Sequence, residues 1–202
     1  MKRLKRSGWA MAAFLIAVGC SPQGITIGPY PVSMPVEGGS IDPATFILVP
    51  GGLEFDYTTR EDFCALPTEQ ELADQMPDIA GIDMSGILKF KSINLSGLVL
   101  TATTGDFDFL REMTVSIVPK PVDGEEQEPI VIGYAYSPDG FGESVSLVPP
   151  DDVDLLDIIK ANDGNPAPGC PKLEITITGT KPTERVDWEG QVEADIYATL
   201  GG

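Results

Sequence analysis

The chain has 202 residues, with 13 Lys and Arg against 31 Asp and Glu, and no histidine. A net charge of −18 repels nucleic-acid phosphate and anionic lipid head groups, so no nucleic-acid partner is expected. Without histidine, Ser-His-Asp and Cys-His catalysis, histidine-containing zinc sites and imidazole pH switches are excluded.

Lys2, Arg3, Lys5 and Arg6 open the chain with no acid among them, and the apolar run "GWAMAAFLIAV" follows from Gly8 to Val18. A basic start, a short apolar core and small residues at its end form a secretory signal. The run is too short for a spanning helix, which needs about 20 apolar residues. Export is therefore expected. Next, Ala17-Val18-Gly19-Cys20 resembles the lipobox of bacterial lipoproteins, with Ala17 where leucine is usual and a rather large Val18. The resemblance covers about the first tenth of the chain. It implies a diacylglycerol on the Cys20 thiol, cleavage that leaves Cys20 as the first residue, and a membrane partner engaged through that lipid. More than one acyl chain makes such an anchor stable. Ser21, in place of aspartate, implies the outer membrane by resemblance to the Gram-negative sorting rule. The alternative is plain cleavage after Gly19, since Ala-x-Gly also fits the small-residue rule, giving a secreted or periplasmic protein.

Loss of residues 1–19 removes four of the 13 basic side chains, so nine then face 31 acids and the net charge is about −22. The organisation expected is a signal peptide at 1–19, a lipid-anchored Gly/Pro-rich tether at 20–39, and one acidic domain at 40–202. A short strand at Ile25–Ile27 is the one regular element expected in the tether.

"TFILVP" (Thr45–Pro50) and "LEFDYTT" (Leu53–Thr59) read as strands across a "PGG" turn. Thr68 and Glu71 form a capping box that opens a helix near 68–76, which Pro77 ends. "GILKFKSINLSGLVLTATT" reads as one long strand or two, with a break near Ser92 or Gly97. "MTVSIVP" and "PIVIGYAYS" are strands on either side of the acidic loop "KPVDGEEQE", and "VSLVP" follows a "SPDGFGES" turn. A second helix is expected near 151–161, where Asp151, Asp152 and Asp154 suit a helix N-terminus and Leu155, Ile158 and Ile159 form an apolar stripe. "KLEITITGT" and "QVEADIYATL" alternate strictly, and they are expected to pair as the last ribbon across the loop "KPTERVDWEG". One-faced alternation over some 8–10 short strands, with two short helices, argues for an antiparallel β-sandwich.

Cys64 and Cys170 form the even pair left by Cys20 and are predicted to be a disulfide in an exported chain. No Gly-rich phosphate loop, nucleophile elbow or C-x-x-C is present, and no catalytic residue is assigned. The one positive signal is acidic. Asp106 and Asp108 in "GDFDF" are the candidate calcium ligands, calcium being the only cofactor considered. Their competing explanation is that Phe107 and Phe109 are core and the aspartates simply point out. Asp123, Glu125, Glu126 and Glu128 read as a solvated run; Trp188, in an expected loop, and Tyr134 and Tyr136 are candidate sugar-stacking residues. The expectation is an envelope lipoprotein acting as a non-catalytic binding or structural module, with an envelope protein or glycan as partner. Alternatives are a carboxylate-using enzyme on envelope polysaccharide and a calcium-stabilised adhesive module.

Overall fold

The computed structural model describes residues 25–46, 54–64, 68, 88–151 and 153–200. The expected signal peptide, Cys20 and the helix expected near 68–76 (Thr68 apart) lie outside them.

Among the described residues, eight strands form two four-stranded antiparallel sheets. They are β1 (Ile25–Ile41), β2 (Glu54–Asp62), β3 (Leu88–Thr104), β4 (Leu110–Val118), β5 (Ile130–Tyr136), β6 (Ser144–Leu147), β7 (Lys172–Thr180) and β8 (Val186–Leu200). One sheet runs β1-β8-β3-β6 and the other β2-β7-β4-β5. The ladders are nested: β1 pairs with β8, β2 with β7, β3 with β6 and β4 with β5. A long hairpin with those pairs, rolled so that alternate pairs share a sheet, is a jelly roll. The β-sandwich expected from the alternation is thus the architecture found.

Nesting corrects one expectation directly. The strands β7 and β8 do not pair with each other; β7 lies between β2 and β4, and β8 between β1 and β3. Alternation fixes which face of a strand is buried and leaves its neighbour open. Residues 181–185 carry the chain across from one sheet to the other, and β8 begins at Val186, inside the segment expected to be loop.

The expected tether is corrected as well, because 25–41 is a full strand. Its Pro29, Pro31 and Pro35 lie on a sheet edge, where one flank of the strand has no ladder to supply. Register shifts at Ile27/Tyr30 and Val36/Gly39 absorb the glycines. At the second shift a Cβ on Gly38 would lie 2.1 Å from the Trp188 carbonyl oxygen, so this close approach admits no side chain. The "TFILVP" strand is replaced at its start by a 3-10 turn (Pro43–Phe46), and 47–50 lie outside the described residues. The turn follows Asp42, whose Oδ1 accepts from the Ala44 amide at 2.7 Å and whose carbonyl accepts from Thr45 at 2.9 Å. The strand β3 is continuous, and the expected breaks are register shifts at Phe90/Ser92 and Leu95/Gly97.

Among the described residues one α-helix, α1 (Leu155–Asp163), is capped against β3 at Ile93, level with Tyr30 near the start of β1. It starts later than 151 because Asp154, in extended conformation, is its N-cap. The Asp154 Oδ1 accepts from the Leu156 amide at 2.9 Å and from the Ile93 amide of β3 at 2.8 Å. Cys64 and Cys170 are joined by a disulfide immediately beyond the last β2–β7 pair, Asp62↔Lys172. The core between the sheets holds Ile93, Leu100, Phe107, Ile117, Ile177 and Ile196.

Candidate binding cavity

Among the described residues, backbone hydrogen bonds join the two sheets along one side of the sandwich. At the β5/β6 side, Tyr134 and Val148 exchange backbone hydrogen bonds of 3.1 and 2.8 Å and tie one sheet to the other. No such bonds join β1 to β2 among the described residues. There the sheets part around a cavity of about 760 Å3, within the range that small-molecule sites occupy.

Its walls follow from strand alternation. The half-buried Val32, Met34 and Val36 of β1 face it, with Trp188 and Val192 from β8. From the other sheet come Leu173, Ile175 and Ile177 of β7 and Met113 and Ile117 of β4. Leu155 and Ile159 of α1 close the end toward the start of β1. The opposite end is closed by aromatic rings: Phe46 lies 4.3 Å from Phe55 and 5.4 Å, edge-on, from Tyr57 between ring centres. These contacts put the start of β2 beside the end of β1. The two strands therefore run in opposite senses, and Glu61 lies toward the end from which β1 starts.

Polar groups gather at the rim. Tyr57, Thr59 and Glu61 alternate along the inward face of β2 and line the cavity, while Arg60 points outward. That guanidinium hydrogen-bonds Glu174 and meets Glu126 at 2.8 Å; the Glu174 hydrogen bond and charge hold it above its ordinary pKa. Among the described lining residues, Glu61 and Asp62 are the only charged ones. Asp62 stands opposite Lys172 across the ladder, whereas Glu61 stands opposite Leu173. No ion pair among the described residues includes Glu61. The two lining carboxylates are neighbours on an extended strand and take opposite faces, so they do not face each other across a cleft.

The residues singled out in the sequence are not brought together. Phe107 is fully buried and Phe109 nearly so. Asp106 Oδ1 accepts from the Asp108 amide at 3.1 Å, and Asp108 Oδ1 accepts from the Gly142 amide at 2.9 Å. These carboxylates organise the meeting of two loops, and among the described residues no group of three or more His, Cys, Asp or Glu is placed to hold a metal. Glu126 belongs to the Arg60 network, with Lys172 at 3.9 Å. Trp188 is half-buried in β8 rather than in a loop, opposite Gly39 and Ala102. Tyr134 and Tyr136 are 42% and 62% exposed on the edge strand β5 and do not line the cavity. Sequence reasoning missed the cavity and Glu61. The available signal was the pairing of a proline-broken edge strand with an acid on the apolar phase of β2.

No protein-family model matches this sequence, and no curated protein matches it. Two solved structures are similar at 12% identity. A chain in the structure of infectious bursal disease virus, Gt strain, gives a TM-score of 0.26, the match covering 92% of this chain and 36% of that one. A chain of the empty head of turnip yellow mosaic virus gives 0.19, covering 96% and 90%. This chain thus spans about a third of the first of them, and likenesses at these scores carry no argument.

Proposed function

We propose that this protein is an exported, lipid-anchored module that binds an apolar ligand between its two sheets, without catalysing a reaction on it. The observation that carries the reading is the cavity: about 760 Å3, walled by aliphatic side chains from both sheets and bordered by β1 and β2. Contiguous apolar surface left uncovered is costly, and in soluble proteins it marks binding sites. A jelly roll supports this role without dictating it, because function resides in the site. The anchor would be Cys20, five residues before the start of β1 in the sequence.

Two measurements test the reading. Mass spectrometry of the mature N-terminus is expected to find Cys20 acylated, and an unmodified Cys20 would remove the anchor. For the cavity, the chain 20–202 carrying Cys20→Ser, purified without detergent, is titrated with the neutral apolar dye N-phenyl-1-naphthylamine. Saturable fluorescence enhancement, weakened by Ile175→Asn in a variant that melts normally, is expected. An absence of saturable enhancement would overturn the binding role.

A further inference from the structure

We propose that Glu61 selects the ligand's head group, so that the cavity takes an amphiphile with a cationic, ammonium-type head and rejects the anionic counterpart of equal chain length. The inference rests on the cavity reading above and adds the ligand's charge.

Three observations lead to it. Glu61 is on the inward phase of β2, with Tyr57 and Thr59, at the rim of an otherwise apolar space. Among the described residues no ion pair includes it: its ladder partner is Leu173, the nearest cation in sequence, Arg60, is engaged with Glu174 and Glu126, and Lys172 lies 3.9 Å from Glu126. Glu61 is exposed at that rim, and a carboxylate beside apolar walls attracts a cation and repels an anion, an effect that added salt weakens. The surrounding chain adds a negative field of the same sense, which raises the local concentration of cations. A tail among Val36, Ile175 and Val192 with its head at the rim leaves the ammonium near Glu61. A fatty acid in the same pose would set two carboxylates together.

Inward charges on edge strands also serve to block sheet-to-sheet association. That explanation predicts aggregation when the charge is removed and no effect on ligand choice, so one experiment separates the two. The dye-loaded chain 20–202 carrying Cys20→Ser is titrated, below micellar concentration, with dodecylammonium and with dodecanoate. Dodecylammonium is expected to displace the dye at a concentration about tenfold lower, equivalent to about 1.4 kcal/mol. Glu61→Gln is expected to bring the two within about threefold and Glu61→Lys to reverse their order, with dye affinity unchanged within about twofold. Glu193→Lys, an equal charge change on an exposed position of β8, is the control and is expected to keep the wild-type order. Dye binding without head-group preference, or a preference that Glu61→Lys leaves intact, would overturn the role of Glu61 while leaving the cavity standing. A Glu193→Lys variant as altered as Glu61→Lys would reduce the effect to overall charge and also overturn it. Failure of the dye to bind any variant would overturn the underlying cavity reading instead.

Discussion

Replacing both Cys64 and Cys170 by alanine tests how the sandwich is held at the end where its N-terminus lies. The two residues are 106 apart in sequence, so the bridge closes a loop that contains most of the domain. In the chain-entropy account a loop of that length lowers the entropy of the unfolded chain enough to stabilise the fold by roughly 4.8 kcal/mol. The native geometry does not depend on the bond. The β2–β7 ladder runs without interruption to Asp62↔Lys172, and the Phe63 amide then donates to the Pro171 carbonyl at 2.8 Å. The double variant is therefore expected to keep the wild-type far-ultraviolet circular dichroism and to melt roughly 10–20 °C lower, at about 2–4 °C per kcal/mol for a domain of this size. Urea unfolding separates the cause. Without the cross-link the unfolded chain is more expanded, so the m-value should rise as the midpoint falls. A melting temperature within about 3 °C of wild type, or a large loss with unchanged m-value, would refute the reasoning.

Three further outcomes are expected. Asp154→Ala removes the α1 cap and leaves the Ile93 amide without its acceptor, which should cost about 2–4 kcal/mol in urea unfolding, whereas Asp154→Asn, still a capping residue, should cost about 1. Gly38→Ala forces a Cβ against the Trp188 carbonyl and should destabilise by about 1–3 kcal/mol, with altered tryptophan fluorescence reporting displacement of β1 from β8. Asp108→Ala loses the hydrogen bond to Gly142 and should cost about 1 kcal/mol equally in millimolar calcium and in EDTA; a melting temperature that depends on calcium would restore the calcium-stabilised alternative.

The strands were legible where a single physical rule governs them. A two-residue period needs one buried and one exposed face, so β2, β7 and β8 stand out, and the breaks expected in β3 near Ser92 and Gly97 correspond to register shifts. Pairing was not legible. A strand such as β7 presents Ile175 and Ile177 to the core whichever strands flank it, and the nested order is set by which sheets pack across the interior. The Gly/Pro content of 25–41 misled for a related reason: proline lacks a donor, which disqualifies a central strand but not an edge. Trp188 was misplaced because the acids beside it read as loop, although they occupy the outward phase of a strand whose inward phase lines the cavity. The disulfide was legible from parity and compartment alone, without any geometry. Glu61 was hidden in plain view, because an acid in an alternating strand is ordinarily assigned to the wet face.

The proline-bearing edge and the cavity are two consequences of one arrangement. A jelly roll leaves two pairs of sheet edges, and each pair either joins or must be prevented from joining others. At β5 and β6 the sandwich is zipped by the Tyr134–Val148 bonds. At β1 and β2 the edges carry the opposite instructions. Pro31 and Pro35 are four residues apart, so their missing donors fall on the same flank of β1. On β2, Arg60 is committed to carboxylates on the outer face while Glu61 places a charge on the inner one. Among the described residues neither edge offers a continuous ladder to the other, and the sheets part there around the cavity. If these features also keep the edges from associating, edge protection and cavity access are two readouts of one arrangement, beside any head-group role of Glu61. Restoring donors with Pro31→Val and Pro35→Val, and removing the inner charge with Glu61→Val, should therefore reduce dye access and promote association between copies together; a variant that loses one property without the other would break that link.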